Sequence, residues 1–216
     1  MVERRDLQLP TLDEARAILG GRLPSIIEST QFNEHGLAVT PEGLKVPVYL
    51  ASGLGFNLPG RYYIEHELKP RMKDLGALVL DPFEQCGEFI DPSEMFNTAQ
   101  PVEEYLAKLK HFNEVIVGTV NYKLLIPRSK IMFAVMEGSP VDEGAAAEVA
   151  YMATNFGPVV AVRTDIRRAE NAATGTNPAV TYFASDDFSG KYYEGPNAYE
   201  EGYLLLGSMI QSYLKG

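Results

Sequence analysis

Ile131-Met-Phe-Ala-Val-Met136, Val141-Asp-Glu-Gly-Ala-Ala-Ala-Glu-Val-Ala-Tyr151 and Pro158-Val-Val-Ala-Val-Arg163 follow one another in the chain, and their reading decides the fold. The outer two are short apolar runs of strand length, bounded by turn residues. The middle block is rich in alanine, a good helix former, and continues to about Phe156. A strand, a helix and a second strand in this order imply parallel pairing through a crossover.

Working toward the N-terminus, Pro101 to about Ile126 reads as a long helical stretch, with Pro101 suited to its first turn. Val115-Ile-Val is absorbed into it. Pro82 to Gln100 is loop-rich and carries Cys86. Ala77-Leu-Val-Leu-Asp81 reads as a strand. Arg61 to Leu75 has helical spacing and ends at Gly76, with Pro70 placed to kink or split it. Val46-Pro-Val-Tyr-Leu-Ala-Ser52 is a buried strand, followed by the loop Gly53-Leu-Gly-Phe-Asn-Leu-Pro-Gly60. Before it, Thr11 and Glu14 form a helix-start signal, and Gly20-Gly21 closes that helix. Toward the C-terminus, Arg167 to Thr176 is a polar loop and Val180-Thr-Tyr-Phe-Ala184 reads as a strand. A helix runs from about Tyr199 to Leu214. Tyr192, Tyr193, Tyr199 and Tyr203 read as an aromatic interface patch, with closure of a neighbouring subunit's pocket as the alternative.

The expected fold is α/β: a three-layer sandwich with a central mostly parallel sheet, Rossmann- or flavodoxin-like. Residues 1–45 form an N-terminal extension packed on a main domain of residues 46–216, which ends in the C-terminal helix. Sites in such sheets lie beyond the carboxyl ends of the strands. The loops after Ser52, Asp81 and Met136 are therefore the candidates.

The bulk figures fit this reading. The chain has 216 residues, 45% hydrophobic and 22% charged, which is enough apolar material for a core. A single cysteine excludes a disulfide within the chain and fits a reducing, cytoplasmic compartment. The charged start Met1-Val-Glu-Arg-Arg-Asp6 does not read as a secretory signal, and no apolar run suits a membrane span. A formal charge of −10 disfavours non-specific nucleic-acid binding. His35, His66 and His111 have no metal-ligand spacing, so no metal or cofactor is expected.

The chemistry concentrates at Asp142-Glu-Gly-Ala-Ala-Ala-Glu148. Asp142 sits where an N-cap would be, Gly144 allows close approach, and Glu148 falls about two turns into the helix. The three alanines leave space over a helix start, where free amides favour an anionic or hydrogen-bonding ligand. Two carboxylates there fit glycosyl transfer through a covalent intermediate. On spacing alone the same residues read first as a helix cap followed by good helix formers.

Val48-Tyr-Leu-Ala-Ser-Gly53, Ala77-Leu-Val-Leu-Asp-Pro-Phe83 and the three opening blocks resemble, in order, the nucleoside 2-deoxyribosyltransferases. The likeness covers roughly Val46 to Ala184. It implies an enzyme that moves a 2-deoxyribosyl group between nucleobases, acting on small nucleosides. It also implies a homo-oligomer whose sites are completed across subunits. Glu148 matches the nucleophile, Asp142 the carboxylate near the sugar, and Tyr49 the tyrosine that steadies the nucleophile. Gly53 falls in the loop approaching the base. Asn177 resembles the asparagine that reaches a neighbouring subunit's 5′-hydroxyl. Read without the resemblance, Tyr49 is a core phenol, and Gly53 and Asn177 are turn residues.

One position departs from the family. Where an aspartate protonates the leaving base, this chain has Asn121 or Tyr122, and neither is a carboxylic acid. Acid help would then fall to Glu84, Glu137 or a water. A nucleoside 5′-monophosphate N-glycosidase and a non-catalytic nucleotide-sensing module are the rival readings.

Overall fold

The computed structural model describes residues 7–90, 101–138, 141–165 and 176–216. In chain order the elements are α1 (Leu12–Ile18), α2 (Ser25–Ser29), β1 (Gln31–Phe32), β2 (Ala38–Thr40) and β3 (Gly43–Ser52). Then come α3 (Leu58–Tyr63), a π-helical segment (Ile64–Leu68), α4 (Lys69–Asp74), β4 (Ala77–Leu80) and α5 (Pro82–Gly87). α6 (Val102–His111) runs into two π-helical segments (Phe112–Val117 and Val120–Leu125) and the short α7 (Ile126–Arg128). β5 (Ile131–Val135), α8 (Glu143–Asn155), β6 (Val159–Arg163), α9 (Pro178–Phe183), β7 (Lys191–Glu194) and α10 (Ala198–Lys215) complete the chain.

β4, β3, β5, β6 and β7 lie side by side, all parallel. Taken in chain order these strands run 2-1-3-4-5, the flavodoxin-like arrangement, and the order reverses between β3 and β5. The three-layer sandwich expected from the sequence is present. Period-two alternation splits the core in two. Tyr49, Ala51, Met132, Ala134, Val159 and Ala161 face one side, under α8 and the segments after α6. Val48, Leu50, Phe133, Val135, Val160 and Val162 face the other, under α10 and the α3–α4 stretch.

The N-terminal part is bound into this frame. Thr11 and Glu14 form a full capping box on α1, and Ala15, Leu19, Leu23 and Ile27 enter the first core cluster. β1 and β2 pair antiparallel, and β2 pairs with the first residues of β3. The boundary expected at residue 45 therefore falls inside β3.

Pro70 does not split its helix. A π-helical segment ends at Leu68, just before Pro70, and another ends at Leu125, just before Pro127. A proline has no N–H and crowds the carbonyl four residues back. An inserted residue widens the turn where that crowding would fall.

Three expectations need correction. Val180-Thr-Tyr-Phe is helix α9, not a strand: Asn177 caps it and Pro178 occupies its first turn. The last strand is Lys191–Glu194 instead. Pro82 to Gly87 is a helix capped by Asp81; the rest of that expected loop, from residue 91, lies outside the described residues. So does most of the polar loop from Arg167, up to residue 175. Finally, Tyr203 is core, stacked on Phe133 at 5.3 Å between ring centroids, and Tyr199 and Tyr193 pack partly buried against the same cluster. The tyrosines therefore do not form a free patch.

Candidate active site

Ala145, Glu148, Val149 and Met152 are the buried residues of α8. Their spacing is that of the apolar stripe of a helix. Glu148 therefore occupies a core position, only 7% exposed, over the face of the sheet that carries Tyr49. A buried carboxylate needs partners. The Tyr49 hydroxyl donates to Glu148 Oε1 at 2.6 Å and the Asn121 amide donates to the same oxygen at 3.0 Å. Among the described residues no hydrogen bond reaches Oε2.

The amide of Asn121 is itself oriented. The Cys86 thiol donates to its Oδ1 at 3.3 Å, which leaves Nδ2 for Glu148. Burial pushes the Cys86 thiol up to about 12, with Glu148 and Asp81 adding to the shift. Burial, followed by the nearby Glu148, also holds Tyr49 well above the ordinary phenol range. Both groups stay protonated and remain donors. Glu148 is pushed up to about 7, first by burial; the Tyr49 and Asn121 hydrogen bonds pull it back and Asp142 adds a small rise. Near neutral pH it exists in both forms. An ionised Glu148 has one oxygen anchored and one available to attack.

Asp142 caps α8, its Oδ2 accepting from the Ala145 amide at 2.7 Å. Gly53, just after β3, packs directly on it. A Cβ at Gly53 would lie 2.7 Å from the Asp142 Cβ, so only glycine fits. These two loops meet where the strand order reverses, at the crevice expected to hold ligands. A cleft of about 570 Å³ opens there, lined by Gly53, Leu54, Asn57, Glu137, Gly138, Asp142 and Asp165. Glu148 is not among its lining residues; it stands further along α8, near enough for Asp142 to raise its pKa.

The cleft wall is braced from β6. Arg163, fully buried, donates to the carbonyls of Met136 at 2.7 Å and Gly138 at 2.8 Å. Glu137 answers by accepting from the Thr164 amide and hydroxyl and from the Asp165 amide, at 2.7, 2.8 and 2.9 Å. Each loop thus holds the other.

The sequence-derived residues divide accordingly. Tyr49, Asn121, Glu148 and Asp142 converge with Gly53. Tyr122 is close enough for Glu148 and Asp142 to add to a shift, caused first by burial, that takes its phenol to about 12. Gly144 lies in the first turn of α8, where a Cβ would come within 3.0 Å of Asp142 Oδ2. Glu84 is not part of this group: it binds Lys69 at 2.9 Å, alongside Asp81 and Glu65. Burial works against the Lys69 charge, but the hydrogen bonds that Lys69 donates to Asp81 and Glu65 outweigh it and raise its pKa. Asn177 is exposed and accepts from the Ala179 amide of its own helix. Sequence reasoning missed Cys86, Asn57 and Arg163. Of these, Arg163 left a trace, as a charge at the end of an apolar strand, and Asn57 another, as a polar residue before the Leu-Pro of a helix start.

No family model matches the chain, and no curated protein matches it. Among solved structures it is similar to one titled as a conserved protein from Enterococcus faecalis V583. The identity is 17% and the TM-score 0.45, over 74% of this chain and 98% of that one.

Proposed function

We propose that this chain cleaves the N-glycosidic bond of 2′-deoxynucleosides and transfers the sugar to another base through a covalent glycosyl-enzyme on Glu148. The observation that carries the proposal is the carboxylate itself. Glu148 is buried, held by Tyr49 and Asn121 through one oxygen, and set beside the capping carboxylate Asp142. The resemblance to the nucleoside 2-deoxyribosyltransferases, carried by the ordered sequence blocks, supports the same roles.

In the first step the free oxygen of Glu148 attacks C1′ while the C1′–N bond breaks, through an oxocarbenium-like state. The leaving base takes up the bond electrons and a proton from cleft water. In the second step a nitrogen of the incoming base attacks C1′, the C1′–O bond to Glu148 breaks, and the acceptor nitrogen gives its proton to the hydroxide left in the first step, restoring the water. Two inversions give net retention. Asp142 is placed to steady the sugar. Asn121 takes a different part from the one its position suggested: it orients and ionises the nucleophile.

The chemistry of the cleft also selects its substrate. Among the described residues, Glu137, Asp142 and Asp165 line it, and no lysine or arginine does. A phosphate dianion would be repelled there. The uncharged nucleoside is therefore preferred over its 5′-monophosphate.

Incubation with 2′-deoxyinosine and free adenine tests the reading. The expected products are 2′-deoxyadenosine and hypoxanthine. Release of hypoxanthine alone would make the protein a hydrolase. Tight nucleoside binding with neither product would make it a sensing module.

A further inference from the structure

α6 is a ten-residue helix without a single buried side chain. Yet its sequence is amphipathic. Val102, Tyr105, Leu106 and Leu109 recur at helical spacing and form one stripe, with Val102 71%, Tyr105 39% and Leu106 54% exposed. An apolar stripe of this kind left in water calls for a partner.

The charges beside the stripe say which. Glu103 and Lys110, two turns apart, lie on one flank, and Lys108 lies on the other, while Glu104 falls toward the far side of the helix. On the first flank the acid is nearer the N-terminus and the base nearer the C-terminus, and the pair is centred close to Leu106. A second α6 laid antiparallel, about a twofold axis at Leu106, sets Glu103 against Lys110 twice. A parallel copy would bring Lys110 beside Lys108. The helix dipoles favour the antiparallel arrangement too.

We propose that α6 is the self-association surface of this protein, pairing antiparallel with α6 of a second copy across a twofold axis at Leu106. The contact is isologous and closes as a dimer. The proposal does not depend on the enzymatic reading.

Sedimentation velocity of the full chain across a concentration series tests it. The native protein is expected to dimerise in the range of roughly 10–100 µM, as suits a small interface. Leu106→Glu, which puts two carboxylates on the axis, should yield monomer. Glu103→Lys and Lys110→Glu should each weaken the dimer about tenfold or more through like-charge contacts. Mixing these two variants should restore association, because the exchanged charges then face each other. All three positions are exposed, and far-UV circular dichroism confirms that each variant is folded. A native monomer at every concentration overturns the proposal. So does a dimer that Leu106→Glu leaves intact, or a mixture that associates no better than its components.

Discussion

Glu148 stands where a helix would ordinarily present an apolar side chain to the sheet. Its elevated pKa is the consequence, and it ties activity to stability. The folded-state value, about 7, lies above the ordinary 4.5. The neutral form therefore favours folding: its benefit is complete below about pH 4.5 and is lost as pH rises through 7. Ionisation at pH 8 costs on the order of 3 kcal/mol. Glu148→Gln keeps acceptors for Tyr49 and Asn121 without the charge. It should raise the melting temperature at pH 8 by roughly 5–10 °C and leave it nearly unchanged at pH 4. Calorimetry at the two pH values checks this; equal effects at both would mean that the carboxylate is not neutralised by burial. The same variant should lose turnover by roughly a thousandfold or more. For the native protein kcat/KM should climb through about pH 7 as the attacking form appears. Asn121→Ala removes a hydrogen bond to that form, so its acid limb should move up by about one unit. An unmoved limb would reduce Asn121 to a packing role.

Elements bring these residues together, and they differ in how plainly the chain announced them. Ala145, Glu148, Val149 and Met152 recur at helical spacing, so the inward direction of Glu148 was legible. The long apolar runs of β3, β5 and β6 announced a parallel sheet covered on both faces. Cys86 and Asn121 gave no such sign. They are 35 residues apart, and α5 must dock on the second π-helical segment before they touch. α9 misled for another reason. Val180-Thr-Tyr-Phe has strand-forming side chains, but Asn177-Pro178 supplies a cap and a preset first turn, and local capping outweighed propensity. Close packing between elements gives its own prediction. Gly202 of α10 lies so near the sheet that a Cβ would come within 2.4 Å of Val162. Gly202→Ala should destabilise by about 1–3 kcal/mol in urea unfolding while KM holds steady. Gly53→Ala meets Asp142 instead, and its loss should fall on kcat/KM. Indistinguishable behaviour of the two variants would disconnect Gly53 from the site.

At the scale of the whole molecule, the sheet sets the two facing loops, and acidic side chains line the cleft between them. The chain carries a formal charge of −10, and among the described residues three carboxylates line the cleft. Among the described residues no helix is long and apolar enough to cross a membrane. Long-range repulsion and the local carboxylates act in the same direction on an anionic substrate. A 2′-deoxynucleoside should be used at least about tenfold more efficiently than its 5′-monophosphate, with the gap narrowing as salt screens the cleft. Parallel assays at low and high ionic strength check it, and equal efficiency at low salt would point to a cation contributed from elsewhere.

The covalent bond to Glu148 is the centre of the account, and one measurement addresses it directly. The protein is mixed with 2′-deoxyinosine without an acceptor base, quenched in acid, weighed intact and then digested. The account predicts a mass gain of one 2-deoxyribosyl group, located on the peptide that contains Glu148 and absent from Glu148→Gln. Turnover by the native protein with no adduct, or with the sugar on another residue, would contradict it.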